Sequence, residues 1–269
     1  MELFAKEGSE LRQAQEFSRL AALGDAEFDM ALLVSEVIDE GLDQHCVSVT
    51  LDRWKSQALA QQVNDVEQLL AFLRSLGFSR GKTLAADLSH NSIGWVISER
   101  QGLPIVIAVL LIKLARGLGL KAQGINFPGH FLLSIDDQVV DPLGLTIVEP
   151  MQLFGPEFSQ DRLAALLLPA TTKMIGQRML NNVKAHFLQM QDWANAVKIL
   201  QFQMAVTGDD ASILAALHFE AAECWEFLEV NSQARVHYLQ CAQLGAGDEL
   251  SQVALQRLDE VDDAQDLVH

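Results

Sequence analysis

The chemistry-bearing residues that the sequence places closest together are His130 and Asp141, which flank a predicted β-hairpin. If residues 136 and 137 form a two-residue turn, Ile135 pairs with Gln138. That register brings His130 diagonally across from Asp141 on one face of the sheet, whereas a three-residue turn would separate them. A histidine oriented by a carboxylate can accept or donate a proton near neutral pH. The pair therefore indicates either a pocket histidine with a function or a histidine that holds the hairpin through hydrogen bonds.

Other polar side chains precede the apolar segments around this hairpin. Arg100, with Glu99, stands just before an apolar helix, where the pair could bind a carboxylate or form a solvated helix end. Asn126 is a further binding candidate and also a natural turn residue. Asn91, another binding candidate, and Ser92 come before a shorter apolar run. We expect one of them to cap a helix, and Ser92 as a nucleophile is the weaker interpretation.

An apolar helix ahead of the hairpin must position these residues. Residues 103–112 are all apolar, and a helix that is apolar on every side is buried on every side. The run is too short to cross a bilayer, which requires about 20 residues. Pro104 suits the first helical position, and Gly117 and Gly119 are expected to end the helix. The sequence therefore predicts a buried central helix that leads into the hairpin.

The N-terminal part of the chain is predicted to be helical. Apolar spacing indicates two helices over residues 9–40, with a break at Gly24. A further helix is expected from about Leu51, with Thr50 as its N-cap, and another from Val66 to Leu76.

The C-terminal part of the chain is predicted to contain helices only. Residues 187–196 and 225–234 each place an aromatic residue nine positions before an alanine, at a period of 38. That pattern resembles tetratricopeptide repeats. Stacked helix pairs leave a concave surface that can hold a peptide, and Asn182 and Lys184 are the residues expected to contact it. The alternative is that the repeats pack against residues 1–170 and cover them.

Three sequence motifs surround the central helix. They are Asn91-Ser92, Arg100-Gln101-Gly102-Leu103-Pro104 and Asn126-Phe127-Pro128-Gly129-His130-Phe131. Together with the C-terminal repeats, they resemble the SirB-type family of bacterial proteins, whose core is similar to that of transglutaminases and cysteine proteases. In that core the resemblance implies a nucleophilic cysteine, a histidine and an aspartate, and it assigns their positions to Pro104, His130 and Asp141. A prolyl ring supplies neither a thiolate nor a backbone N–H for an oxyanion, so the resemblance implies a core without its nucleophile.

Composition and charge restrict the partners and cofactors. The net charge of −17, from 19 basic and 36 acidic residues, opposes nucleic-acid binding. The first residues lack a signal-peptide pattern, so we expect a cytoplasmic protein with no membrane association. Cys46, Cys224 and Cys241 are odd in number and widely spaced, which predicts reduced thiols, and Cys46 is a weak substitute nucleophile. Metal-ligand spacing is absent, so we expect neither a metal nor a cofactor.

The sequence therefore predicts an α+β fold over residues 1–170, with a helical N-terminal part and a transglutaminase-like core. An all-α, tetratricopeptide-like domain is predicted over residues 171–269. The preferred function is a non-enzymatic cytoplasmic adaptor or regulator that binds a protein or peptide. The alternatives are a hydrolase or acyl transferase that uses His130 and Asp141 with an unidentified nucleophile, and a plain peptide-binding module.

Overall fold

The chain forms two compact units. The computed structural model describes residues 2–79, 87–151, 165–245 and 247–266. The core unit comprises Leu23–Met179, and the helical unit comprises Met1–Ala22 together with Leu180–His269. The predicted domains, residues 1–170 and 171–269, stay a prediction, and the contacts group the first helix with the C-terminal helices.

Helices make up the first part of the core unit. They are α2 (Glu27–Ile38), α3 (Gln44–Ala60), α4 (Val66–Ser75), α5 (Ile93–Glu99) and α6 (Pro104–Gly117), with a 3₁₀ turn at Leu88–Asn91. The helix predicted from Leu51 begins at Gln44 instead. Asp43 is its N-cap and accepts a hydrogen bond from the Cys46 amide at 2.9 Å, so the prediction for Thr50 is wrong. Ser92 caps α5 through the Trp95 amide, as expected.

The central helix α6 is buried as predicted. Residues 105–112 are each at most 5% exposed, and Pro104 occupies the first turn of the helix. The helix packs against α2, α3, α5 and the first two strands of the sheet. Residues 105–112 are the apolar centre of the core unit because none of their side chains requires water.

The sheet is a four-stranded antiparallel meander that follows α6. Its strands are β1 (Ala122–Ile125), β2 (Leu132–Ile135), β3 (Gln138–Asp141) and β4 (Thr146–Ile147), in that spatial order. Ile135 pairs with Gln138, and the two turn residues Asp136 and Asp137 both have positive φ, at 45° and 66°. Two consecutive positive φ values are the signature of a type I′ hairpin turn. The predicted two-residue turn and its register are therefore confirmed.

The helical unit continues the chain after α7 (Thr172–Gln189), which crosses the boundary between the units. The remaining helices are α8 (Trp193–Thr207), α9 (Ala211–Phe227), α10 (Asn231–Leu244) and α11 (Glu249–Asp266). These four pack in chain order, and α1 (Glu2–Ala21) packs against α8. Phe17 of α1 lies 5.0 Å from Phe202 of α8 between ring centroids, which explains why α1 belongs to this unit.

The turns α7–α8 and α9–α10 are equivalent at an offset of 38 residues. Gln191 and Glu229 both adopt positive φ, at 56° and 58°. The backbone hydrogen bonds that close the turns also correspond: Asp192 N to Phe187 O at 2.9 Å, and Val230 N to Trp225 O at 3.0 Å. Ala196 and Ala234, the alanines of the sequence pattern, are both fully buried. The period of 38 in the sequence is thus a repeated helix–turn–helix.

A histidine pair joins α9 to α10. The Nδ1 atoms of His218 and His237 are 2.9 Å apart, a hydrogen-bond distance at which one ring donates and the other accepts. Burial lowers the pKa of His218. Burial and the neighbouring His218 ring lower the pKa of His237 to about 4. Both rings are therefore neutral at pH 7.

We expect the helical unit to lose stability as pH falls from about 6.5 towards 4. The unfolded chain takes up protons at the ordinary histidine pKa of about 6.5, whereas both pKa values are lowered in the folded pair and that of His237 is about 4, so acid favours unfolding. Thermal denaturation followed by circular dichroism should show this pH dependence reduced in the double variant His218→Gln, His237→Gln. His45→Gln, at an exposed position of α3, serves as the control. An equally steep dependence in the double variant would contradict the assignment.

Candidate functional site

The three positions that the resemblance assigned to a catalytic triad lie around α6 and the β2–β3 hairpin. Pro104 is the first residue of α6, after Leu103 as the N-cap. The Leu103 amide donates to the His90 carbonyl at 3.2 Å, which brings the 3₁₀ turn beside the start of the helix. The partly buried Pro104 thus stands where a helix N-terminus would favour an anion, but it offers no N–H.

The turn that carries His130 is held by buried aromatic residues on both sides. The His130 amide donates to the Phe127 carbonyl at 3.2 Å, and Gly129 has φ of +76°. Proline followed by a glycine of positive φ suits a type II turn. Phe127 and Phe131 are buried at the ends of the turn, whereas the side chain of His130 is exposed.

Asp141 ends β3 and is engaged by its own turn. Its Oδ1 accepts from the Leu143 amide at 2.9 Å, and its Oδ2 accepts from the Gly144 amide at 3.1 Å. Both residues of the expected pair are among those described, and no hydrogen bond or ion pair joins His130 to Asp141 in that part of the chain. The register is as predicted, but the Asp141 carboxylate accepts hydrogen bonds from the loop before β4 and not from His130.

Arg178 of α7 anchors the turn from the other side, and the sequence analysis missed this role. Its Nη1 donates to Asn126 Oδ1 at 2.7 Å and to the Phe127 carbonyl at 2.8 Å. Its Cζ lies 5.7 Å from the centroid of the Phe131 ring. Burial lowers the pKa of Arg178. Asn126, predicted to bind a ligand, thus accepts a hydrogen bond from a side chain of its own unit. The two residues are 52 positions apart, so no local pattern in the sequence indicates the contact.

Arg100 ends α5 and lies on an aromatic ring. It is the C-cap residue of this helix and has φ of +61°, in the left-handed region. Its Cζ lies 4.7 Å from the centroid of the Trp54 ring, and its Nε donates to the Leu76 carbonyl at 3.1 Å. Gly102, two residues later, is required by close packing, since a Cβ there would lie 2.2 Å from the Val96 side chain.

Asn91 lies in the 3₁₀ turn and is 3% exposed. Its Nδ2 donates to the Leu88 carbonyl at 3.4 Å, while its Oδ1 is buried and has no hydrogen-bond partner in the described part of the chain. The neighbouring His90 ring contacts the Trp95 ring in a tilted arrangement, with 4.6 Å between centroids and an angle of 58° between the planes. Asn91 is therefore a buried side chain in a turn that packs against α2 and α5, and its binding role stays a prediction.

The two residues predicted to bind a peptide differ in exposure. Asn182 is partly exposed on α7. Lys184 is 6% exposed, and its ammonium group forms an ion pair with Glu220 of α9. An ammonium group that is buried and paired is not accessible to a peptide. The structure therefore corrects the expectation that Lys184 is exposed to a partner.

Two of the three cysteines, Cys224 and Cys241, are buried thiols that the protein does not activate. Burial raises the pKa of Cys224 to about 11, with Glu220 and Glu223 adding to the effect, and burial also raises the pKa of Cys241. Cys46 is exposed on α3. In the described ranges, no three His, Cys, Asp or Glu side chains are grouped to hold a metal ion.

Comparison with known proteins identifies the core. The family model of the transglutaminase-like superfamily matches residues 36–185, from α2 to α7. The chain belongs to the transglutaminase-like superfamily. That match covers the central helix, the sheet and all three positions assigned to the triad.

Named relatives resemble parts of the chain. The UPF0162 protein of Xylella fastidiosa (strain 9a5c) is 33% identical over 138 residues, which are 46% of this chain and 49% of the relative. The UPF0162 protein of Pseudomonas aeruginosa is 35% identical over 98 residues, 33% of this chain and 36% of the relative. Human F-box only protein 21 is 34% identical over 104 residues, 33% of this chain and 16% of the relative. The chain thus spans about half the length, or less, of these relatives.

No solved structure matches the chain. Within the described helices, none is by itself long and apolar enough for a membrane span, and only α5 and α6 together pass such a test, with an 84° bend between them.

Proposed function

We propose that the core unit is a transglutaminase-like domain without thiol catalysis, and that the chain acts as a cytoplasmic adaptor or regulator of the SirB type. The observation that carries the proposal is Pro104 at the first position of α6. A superfamily that uses a thiolate at this helix start needs a cysteine there, and proline provides no nucleophile and no amide donor.

The other two positions support the same proposal. His130 is exposed in a turn, with no side-chain hydrogen bond to any described residue that would orient it. Both carboxylate oxygens of Asp141 accept from backbone amides of the following loop. A general base works only when a third group holds it in position, and this chain uses the carboxylate for another purpose.

The helical unit is the part that we propose binds a protein or peptide, in the manner of tetratricopeptide repeats. Two equivalent helix–turn–helix segments support this, because such units stack and leave one face free. Asn182 remains partly exposed on α7. The net charge of −17 favours a basic partner segment over nucleic acid.

Iodoacetamide should label Cys46 no faster than a free thiol and label Cys224 and Cys241 more slowly. The latter two are buried, and a raised thiol pKa leaves little thiolate at pH 7. Time-resolved labelling with mass spectrometry measures each site. Rapid labelling of Cys46 that disappears in His130→Ala would contradict the proposal, since it would show a histidine-activated thiol.

A separate affinity experiment tests whether the helical unit binds a partner. Affinity recovery from cell extract with the full chain should be unchanged in His130→Ala and reduced in Asn182→Ala. Asn195→Ala, an exposed asparagine of α8, is the matched control. Recovery that depends on His130 and not on Asn182 would place binding in the core unit and overturn this assignment.

A further inference from the structure

A cavity of about 380 Å³ lies in the core unit, away from the positions assigned to the triad. It opens between the loop after α2, the first turns of α3, and α5. Its lining includes charged residues of both signs, namely Asp39, Asp43, Arg53 and Arg100, and the thiol of Cys46. Cavities of this size are typical of small-molecule sites.

The basic side of this cavity is not neutralised by the protein. Arg53 is exposed and has no hydrogen bond or ion pair with any described residue. Nη1 of Arg100 is buried and has no hydrogen-bond partner in the described part of the chain. Burial, followed by the nearby charge of Arg53, lowers the pKa of Arg100. Arg53 and the partly buried Arg100 thus place two positive charges in the lining of one cavity, which an oxyanion would stabilise.

The acidic side retains free acceptors. Asp39 Oδ1 accepts from the Gly41 amide at 3.0 Å, and Asp43 Oδ1 accepts from the Cys46 amide at 2.9 Å. These hydrogen bonds leave the Oδ2 atom of each carboxylate available. Among the described residues, neither aspartate forms an ion pair within 4.0 Å with an arginine of the cavity. Opposite charges therefore line one cavity without neutralising each other.

We propose that this cavity binds a small zwitterion, either a free amino acid or a short peptide. Its carboxylate would bind the guanidinium groups of Arg53 and Arg100, and its ammonium group would bind the carboxylates of Asp39 and Asp43. The apolar part of the ligand would contact the aliphatic lining, which consists of Leu42, Val47 and Ile97. The proposal does not depend on whether the core unit has lost thiol chemistry.

Cys46 provides a direct readout of occupancy, because it is exposed and lines the cavity. The probe is the dipeptide leucyl-leucine with both termini free, and the measurement is the rate at which iodoacetamide alkylates Cys46 in the full chain. At about ten times the dissociation constant, the rate should fall about tenfold, since only the unoccupied fraction reacts. No protection at any concentration of the dipeptide or of leucine would overturn the proposal.

Variants and blocked probes test the individual contacts. Arg53→Gln should abolish protection, whereas Arg12→Gln, at an exposed arginine of α1 outside the cavity, should retain it. N-acetylated leucyl-leucine and leucyl-leucine amide should each protect much less than the free dipeptide. Equal protection by inorganic phosphate would show a simple anion site and overturn the zwitterion assignment.

Repeating the protection experiment with leucine alone distinguishes a free amino acid from a peptide as the ligand. Protection by leucine would support a free amino acid as the occupant, and protection by the dipeptide alone would support a peptide. A failure of the adaptor proposal is distinguishable from either result. That proposal is tested without any added ligand, by the labelling of Cys46 in His130→Ala.

Discussion

Replacing Arg116 with methionine should lower the free energy of unfolding by about 3–5 kcal/mol, because it leaves a buried carboxylate without its counter-charge. Glu27 of α2 is 5% exposed. Its two oxygens accept from Nη1 and Nη2 of Arg116 at 3.0 and 3.1 Å. Nε of Arg116 also donates to the Ala122 carbonyl at 2.8 Å, so one guanidinium joins α6 to α2 and β1.

Urea denaturation followed by circular dichroism measures this loss. The double variant Glu27→Met, Arg116→Met should recover most of the stability, since apolar residues of similar size tolerate burial. Arg19→Met is the matched control, because it breaks an exposed ion pair with Glu16, worth about 0–1 kcal/mol. A double variant as unstable as the single one would show that the guanidinium acts mainly through β1.

Replacing Arg178 with leucine should release the turn that carries His130 and lower the free energy of unfolding by about 2–4 kcal/mol. The change removes two short hydrogen bonds, to Asn126 and to the Phe127 carbonyl, and leaves both acceptors unpaired by this side chain. It also removes the cationic group near the Phe131 ring. The loss should be larger than the loss in Asn126→Ala, which keeps the contact with the carbonyl.

Amide hydrogen exchange at His130 separates a local effect from a global one. Its amide donates within the turn, so exchange there should accelerate in Arg178→Leu more than exchange in α6. Arg178→Lys keeps the charge but lacks the planar guanidinium group. Its exchange rate at the His130 amide should therefore lie between the rates of the natural protein and of Arg178→Leu. Unchanged exchange at His130 would mean that the turn is held by its buried aromatic residues alone.

The elements that the sequence predicted well depend on near neighbours. The apolar run of α6 requires burial on all sides, whatever packs around it. The β2–β3 register follows from a two-residue turn, and the Asp136-Asp137 pair accepts the positive φ values that this turn needs. Ser92 caps α5 because a hydroxyl ahead of an apolar run satisfies a free amide at the helix start.

The elements that the sequence left open depend on distant partners or on competing local choices. Thr50 and Asp43 are both residue types that cap helices, and in the structure Asp43 caps α3. Asn126 and Arg178 meet because α7 returns to the sheet, and nothing near Asn126 indicates an arginine. Lys184 looks like a surface residue in sequence, yet its pairing with Glu220 allows it to be buried.

The matched turns of the helical unit indicate how such a chain could change its length. Each turn is closed by hydrogen bonds between its own backbone atoms, and each contains one residue of positive φ, Gln191 or Glu229. A helix pair therefore contains the backbone hydrogen bonds of its own reversal of direction. Gain or loss of a whole pair would preserve every remaining turn, whereas a shorter insertion would disturb one. The natural unit of variation in this part of the molecule is thus the pair of helices.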